Sequence, residues 1–316
     1  MDRTRANNYG IGTSCLLKAG QFAAQRVTRE ERAASYETED ALSVRWRPFA
    51  RWAQGQGVRQ MEYVTAHLVV AYGQEVAGRV VAGEISASHG QGLVSAVNSI
   101  MREVTRGRWV SVSPVRDCGV PRRSLVRRQA PQGVERTPAE AAIETLRDKG
   151  QHHGASVIEL ARELGLRTKE ASLLDARAAL RQARETEAVS ITSGTKGGRS
   201  RVIPVSSERQ LSALERAASL QNRERSLVPP GQSWAQWREG GLRRAREVLQ
   251  TFGIRRIHEL RAAYAAARYE ELTKHPIPLL GGQASKEDDR MAREIIAEEL
   301  GHRRISIMNS YIGRAP

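Results

Sequence analysis

Between Ser111 and Pro138 the chain reads SVSPVRDCGVPRRSLVRRQAPQGVERTP, and every repeating pattern that could build a helix or a strand stops there. Pro114, Pro121, Pro131 and Pro138 each remove a backbone donor and push the preceding residue towards extended backbone. Periodic sequence resumes on both sides, so this stretch divides the chain. At 316 residues the chain also exceeds one ordinary core, and about two domains are expected at that length. The boundaries read as a helical domain over 1–120, a basic linker over 121–136 and a second domain over 137–316.

Helical spacing fills the front part from about Ala41 to Val104. Val64, Leu68, Ala71 and Tyr72 share one face, and Leu93, Val97, Ile100 and Val104 share another. The glycines and serines of RVVAGEISASHGQG predict a loop between consecutive helices.

Behind the linker, Thr137, Pro138 and Glu140 predict a capped helix start, as do Ser156 and Glu159. Gly165 should end that second helix, and Thr168 should cap a further one running to Leu180. Two short β-branched runs, AVSIT and RVIPVS, flank SGTKGGRS and predict a hairpin with Lys196 on or beside its turn. The rest, from Ala235 to Tyr311, reads mostly as helix. The expected fold is mainly α with a small β-sheet.

Charge narrows the partner. Lys and Arg number 50 against 35 Asp and Glu, a net +15, which draws a protein to polyanions, nucleic acid foremost. Arg122, Arg123, Arg127 and Arg128 of the linker are candidate DNA-binding residues along a phosphate backbone. Each phosphate neutralised would add about 0.9 to the salt slope of duplex binding. Cys15 and Cys118 form no disulfide framework or metal spacing and fit a reducing compartment. No segment approaches the ~18 apolar residues of a membrane span, and the opening lacks a secretory apolar core. A soluble, cytoplasmic, nucleoid-associated protein is expected.

Several polar residues fall in a telling order. Gly165-Leu166-Arg167 is followed by Glu170; Lys196 lies in the hairpin; His258-Glu259-Leu260-Arg261 opens a helical stretch; and Leu300-Gly301-His302 precedes Tyr311 by nine residues. In this order they resemble the motifs of the tyrosine recombinases, the phage-type integrases. The motifs cover about Thr137 to Tyr311. The resemblance implies an N-terminal helical core-binding (SAM-like) domain followed by a mixed α+β catalytic domain, and six catalytic residues: Arg167, Lys196, His258, Arg261, His302 and Tyr311. It implies double-stranded DNA at specific sites as partner, a homotetramer on that DNA, accessory bending or directionality factors, and neither membrane, metal nor other cofactor. Two departures stand out. Arg261 and His302 are 41 residues apart, longer than the family's interval, with HPIPLLGGQASKEDD as the surplus loop, and only IGRAP follows Tyr311.

The residue types suit phosphoryl transfer. Guanidinium forks match the two non-bridging oxygens of a phosphodiester, the place of Arg167 and Arg261. One such preorganised donor contributes about 3 to 4 kcal/mol to the transition state. A phenol with an ordinary pKa near 10 needs a proton acceptor to attack at neutral pH; the resemblance gives His258 that role and has His302 bonding the phosphate. Lys196 would protonate the departing 5′ oxygen, and Glu170 would orient Arg167 or Lys196 from behind. A 3′-phosphotyrosyl ester conserves bond energy, so another strand's 5′ hydroxyl can reverse the step.

Other readings remain. ASVIELARELGLRTKEASLLDARAALR also looks like a helix-turn-helix, which would make the chain a non-catalytic DNA-binding regulator or architectural protein. A type IB topoisomerase would use similar chemistry to relax supercoils.

Overall fold

The computed structural model describes residues 7–30, 36–221, 223 and 225–314. The chain divides into two compact units, Met1–Ser124 and Leu125–Pro316.

The first unit is built on α1 (Asn7–Gly10), α2 (Leu16–Glu30), α3 (Tyr36–Gly55), α4 (Ala66–Val81) and α5 (Ala87–Val104). Trp46, Phe49 and Tyr72 form its centre, with ring centroids 5.0 and 5.2 Å apart along the chain of contacts, and such aromatic pairs add to the area they bury. Gly20 lets α2 approach because a Cβ there would overlap Trp46. α5 starts at Ala87 with the Ser86 side chain accepting from His89 N, so the helix takes in Gly90 and Gly92, which the sequence pattern places in a loop. Residues 111–120 are packed on this unit: Asn98 bonds both backbone groups of Val112, and Cys118 lies against Gly73. The proline-rich segment is thus shared between the two units.

The second unit follows with α6 (Arg136–Asp148), α7 (His152–Glu163), α8 (Thr168–Ser172), α9 (Ala176–Thr186), β1 (Ala188–Ile191), β2 (Arg201–Pro204), α10 (Glu208–Leu220), α11 (Trp234–Glu239), α12 (Gly241–Thr251), α13 (Ile257–Thr273), α14 (Lys286–Glu299) and α15 (Asn309–Ile312). The hairpin is antiparallel, with Ala188 opposite Pro204 and Ile191 opposite Arg201. Its buried face carries Val189, Ile191, Arg201 and Ile203, and Val202 points out.

Three helix starts differ from the sequence pattern. α6 begins at Arg136, so Thr137 and Glu140 lie inside it; Glu140 pairs with Arg209 instead of capping. Ser156 is buried in the middle of α7. The helix expected from Thr168 to Leu180 is two helices, because Asp175 caps a new one at Ala176. α13 is enclosed on almost every side; its small AAYAAA stretch allows α7, α14 and α15 to pack close. The surplus loop folds back with Ile277 buried and Leu279 against Gly313, while KEDD opens α14. Of the IGRAP tail, Ala315 and Pro316 lie outside the described residues. Among the described residues no helix is long and apolar enough to cross a membrane.

Candidate active site

α14 ends at Glu299 with Leu300 as its cap, and Gly301 takes left-handed backbone at φ 66°. Gly301 N then bonds Glu298 O, and His302 N bonds Ala297 O at 2.7 Å, a glycine-reversed helix end. The reversal puts the His302 ring beside the short α15, whose Met308 and Ile312 flanks are fully buried. Tyr311 between them is therefore held inward, 3% exposed.

The phenol oxygen of Tyr311 sits between two groups. Arg261 Nε donates to it at 3.2 Å, and His302 Nε2 lies 3.0 Å away. The His258 ring meets the tyrosine edge-on at 5.4 Å between centroids, as does His302. Burial, and then the charge of Arg261, lowers His302 to a pKa of about 4, so at neutral pH the imidazole is uncharged. An uncharged ring with its proton on Nδ1 presents Nε2 as acceptor for the phenol hydrogen. His258 keeps one side open to solvent; burial of the other and the Arg261 charge lower its pKa too. Both imidazoles are thus bases at pH 7.

Arg261 is completely buried and donates to Gly165 O and Leu300 O as well as to the phenol. Burial lowers its pKa to about 10, still cationic at neutral pH. Gly165 is left-handed at φ 59°, and a Cβ there would lie 2.9 Å from Leu300 Cδ2, so this carbonyl can face Arg261 only from a glycine. Arg167 donates to the same Leu300 O at 3.3 Å and to Glu170 at 2.6 Å.

Glu170 joins the cluster. It is fully buried and accepts from Arg167 N, Arg167 Nη1 and both terminal nitrogens of Arg201, and Arg261 Nη1 is 3.7 Å away. Burial alone would push its carboxyl up, but the Arg201 hydrogen bonds and charge outweigh that and bring it down to about 2. Arg201, which motif reading missed, also donates to Glu299 O at 2.7 Å. A sequence signal existed: in a strand, Arg201 and Ile203 share a face, so RVIP placed an arginine towards the core.

Arg167, His258, Arg261, His302, Tyr311 and Glu170 are thus brought together within one chain. Lys196 is exposed on the hairpin turn and takes no part in the cluster. Arg122, Arg123 and Arg128 are exposed. Arg127 departs from the expectation of a free phosphate ligand: its guanidinium makes a two-pronged bond to Glu259 at 2.9 and 3.0 Å, and its Nε bonds Ser310 O at 3.3 Å. In the helix-turn-helix stretch α7 is buried over most of its length, α8 is one turn that buries Glu170, Ala171 and Ser172, and α9 buries only Ala176, Ala179 and Ala183.

The fold that carries this constellation, a helical scaffold with one hairpin, is shared with solved structures of tyrosine recombinases. XerH recombinase bound to palindromic difH substrate aligns over 98% of this chain and 83% of its own, with a TM-score of 0.60 and 13% identity. The Tn1549 transposon integrase in complex with circular intermediate DNA aligns over 96% of each chain, at 0.57 and 12%. A lambda integrase dimer bound to a COC′ core site aligns over 92% of this chain and 76% of its own, at 0.55 and 14%. No curated protein matches in sequence. Residues 125–267 match the family model described as Integrase. That match covers most of the C-terminal unit, which has the tyrosine recombinase fold.

Proposed function

We propose that the chain is a site-specific DNA recombinase of the integrase type, cutting and rejoining strands through a 3′-phosphotyrosyl intermediate to integrate or excise a mobile element. The observation that carries this is the Tyr311 oxygen lying 3.2 Å from Arg261 Nε and 3.0 Å from His302 Nε2 in the same chain. A phenol that accepts from a cation and donates to a neutral imidazole is polarised towards phenolate.

In the proposed step, Tyr311 Oη bonds to phosphorus, its proton passes to a neighbouring imidazole, and the P–O5′ bond breaks. Arg261 and Arg167 stabilise charge on the non-bridging oxygens. Lys196, on a turn that includes left-handed Gly194, Gly197 and Gly198, reaches the departing oxygen and protonates it. Glu170 and Arg201 hold the arginines. A 5′ hydroxyl from another strand then reverses the step. Arg122, Arg123 and Arg128 contact phosphates, and the N-terminal helical unit with segment 121–136 grips the duplex. Four copies on two sites, in the cytoplasm at the nucleoid, make the working assembly. A lambda integrase tetramer has been solved on a Holliday junction.

A nicked suicide duplex from the junction flanking its own gene tests this. The wild type should form a denaturant-stable protein–DNA adduct, and Tyr311→Phe should form none while binding the same duplex. Absence of adduct from both would leave only a DNA-binding protein.

A further inference from the structure

Arg127 is a linker arginine whose bonds run chiefly into the site, besides one from Nη1 to the nearby Gln129 O at 3.4 Å. Its backbone N donates to Asn309 O at 2.8 Å and its Nε to Ser310 O at 3.3 Å, the two residues before Tyr311. Its terminal nitrogens hold Glu259, which follows His258 and precedes Arg261 by two. Gln132 N supports the same carboxylate at 3.1 Å. The pair is mostly buried, with side chains 15% and 18% exposed. One side chain therefore bridges the helix start carrying His258 and the turn carrying the nucleophile, across 132 and 183 residues of sequence.

Resting on the recombinase reading, we propose that Arg127 is a positioning residue: it locks the Tyr311 segment against the start of α13, so the chain entering the catalytic unit sets the distance between phenol and cluster. The task needs a guanidinium. Paired bonds to Glu259 from both terminal nitrogens and a third from Nε to Ser310 O use the rigid fork, which an ammonium does not offer. α14 holds the same segment through Arg293, which donates to Asn309 Oδ1 and Gly313 O. Two arginines thus grip the segment, and release of Arg127 leaves it held by Arg293 alone.

The test compares Arg127→Lys with wild type in the full chain. Hydrogen exchange without DNA should quicken at least 10-fold over residues 305–314 and stay unchanged over α7 and α10. Affinity for a random 30-bp duplex and its salt slope should stay within two-fold, and the first-order rate of adduct formation should fall at least 10-fold at saturating duplex. Unchanged exchange with a salt slope reduced by about 0.9 would make Arg127 a phosphate ligand and overturn the proposal. If the wild type forms no adduct, the recombinase reading fails, and exchange alone still decides the clamp. Should Arg127→Lys unfold, Glu259→Gln replaces it: exchange rising only over 305–314 supports the clamp, and a rise everywhere overturns it.

Discussion

The two units solve the problem of a stable interior differently. Among the described residues, the first unit buries no charged side chain; Asn8, Asn98 and Thr105 bond to backbone there, and its buried ionisable groups are the neutral Tyr72 and Cys118. The second buries Arg162, Arg201, Arg261 and Arg293 with Glu159, Glu170, Asp289 and Glu299. Removing a charge from water is costly unless it is paired and hydrogen-bonded. In the first unit cohesion follows apolar area and is spread over many contacts. The second has a large apolar core as well and adds buried charges to it; those around Glu170 also aim the groups near Tyr311, so part of the scaffold is part of the site.

The strongest challenge to this contrast is Arg201→Met. Removing one partner of a buried pair leaves Glu170 with its charge and without its two strongest donors, and should destabilise the second unit by about 3 to 5 kcal/mol. A swap of similar size in the first core, Leu93→Met, should cost less than about 1.5 kcal/mol. Adding Glu170→Leu to Arg201→Met should return part of the loss. Urea denaturation decides it: equal costs for the two single variants would erase the distinction between the units.

The same contrast explains what could be read in advance. The fold class, the hairpin and the convergence of Arg167, His258, Arg261, His302 and Tyr311 were legible, because helical and strand periods and ordered motifs encode them locally. Glu170 was ambiguous, since an acidic residue in a helix's first turn is common on surfaces; only burial among three arginines makes it central. Arg201 was missed, and the Glu259 pairing of Arg127 was not foreseen, for one reason. An arginine's default is the surface, and the partners that bury these two, Glu170 at 31 residues and Glu259 at 132, leave no mark at short range. Helix starts failed where tertiary packing overrode capping residues: Ser156 faces the core, and Glu140 found Arg209.

Acid should separate the units next. Glu170 has its folded pKa lowered to about 2 from the ordinary 4.5, so its contribution is present above pH 4.5 and is lost as pH falls towards 2. That is on the order of 3 kcal/mol for a fully buried group. His302, lowered to about 4 from 6.5, acts in the same direction, because below pH 6.5 the unfolded chain takes up a proton that the folded one refuses. In the first unit, burial raises Tyr72 to about 12 and Cys118 to about 11, and those losses appear only in alkali. Calorimetry from pH 7 to pH 3 should show one transition falling first, the same one that Arg201→Met lowers. Parallel decline of both transitions would contradict the contrast.

The smallest effect sharpens it at single helix starts. Ser86, placed in a loop by the sequence pattern, is a cap, accepting from His89 N at 3.2 Å; Thr137, expected to be one, is not, and the α6 cap position is Glu135, which makes no side-chain bond. Ser86→Ala should therefore cost the first unit about 1 kcal/mol, while Thr137→Ala, exposed inside its helix, should stay within about 0.5 kcal/mol of wild type. Urea midpoints read both. A larger loss at Thr137 would mean that the second unit, too, depends on local capping and not chiefly on its buried charges.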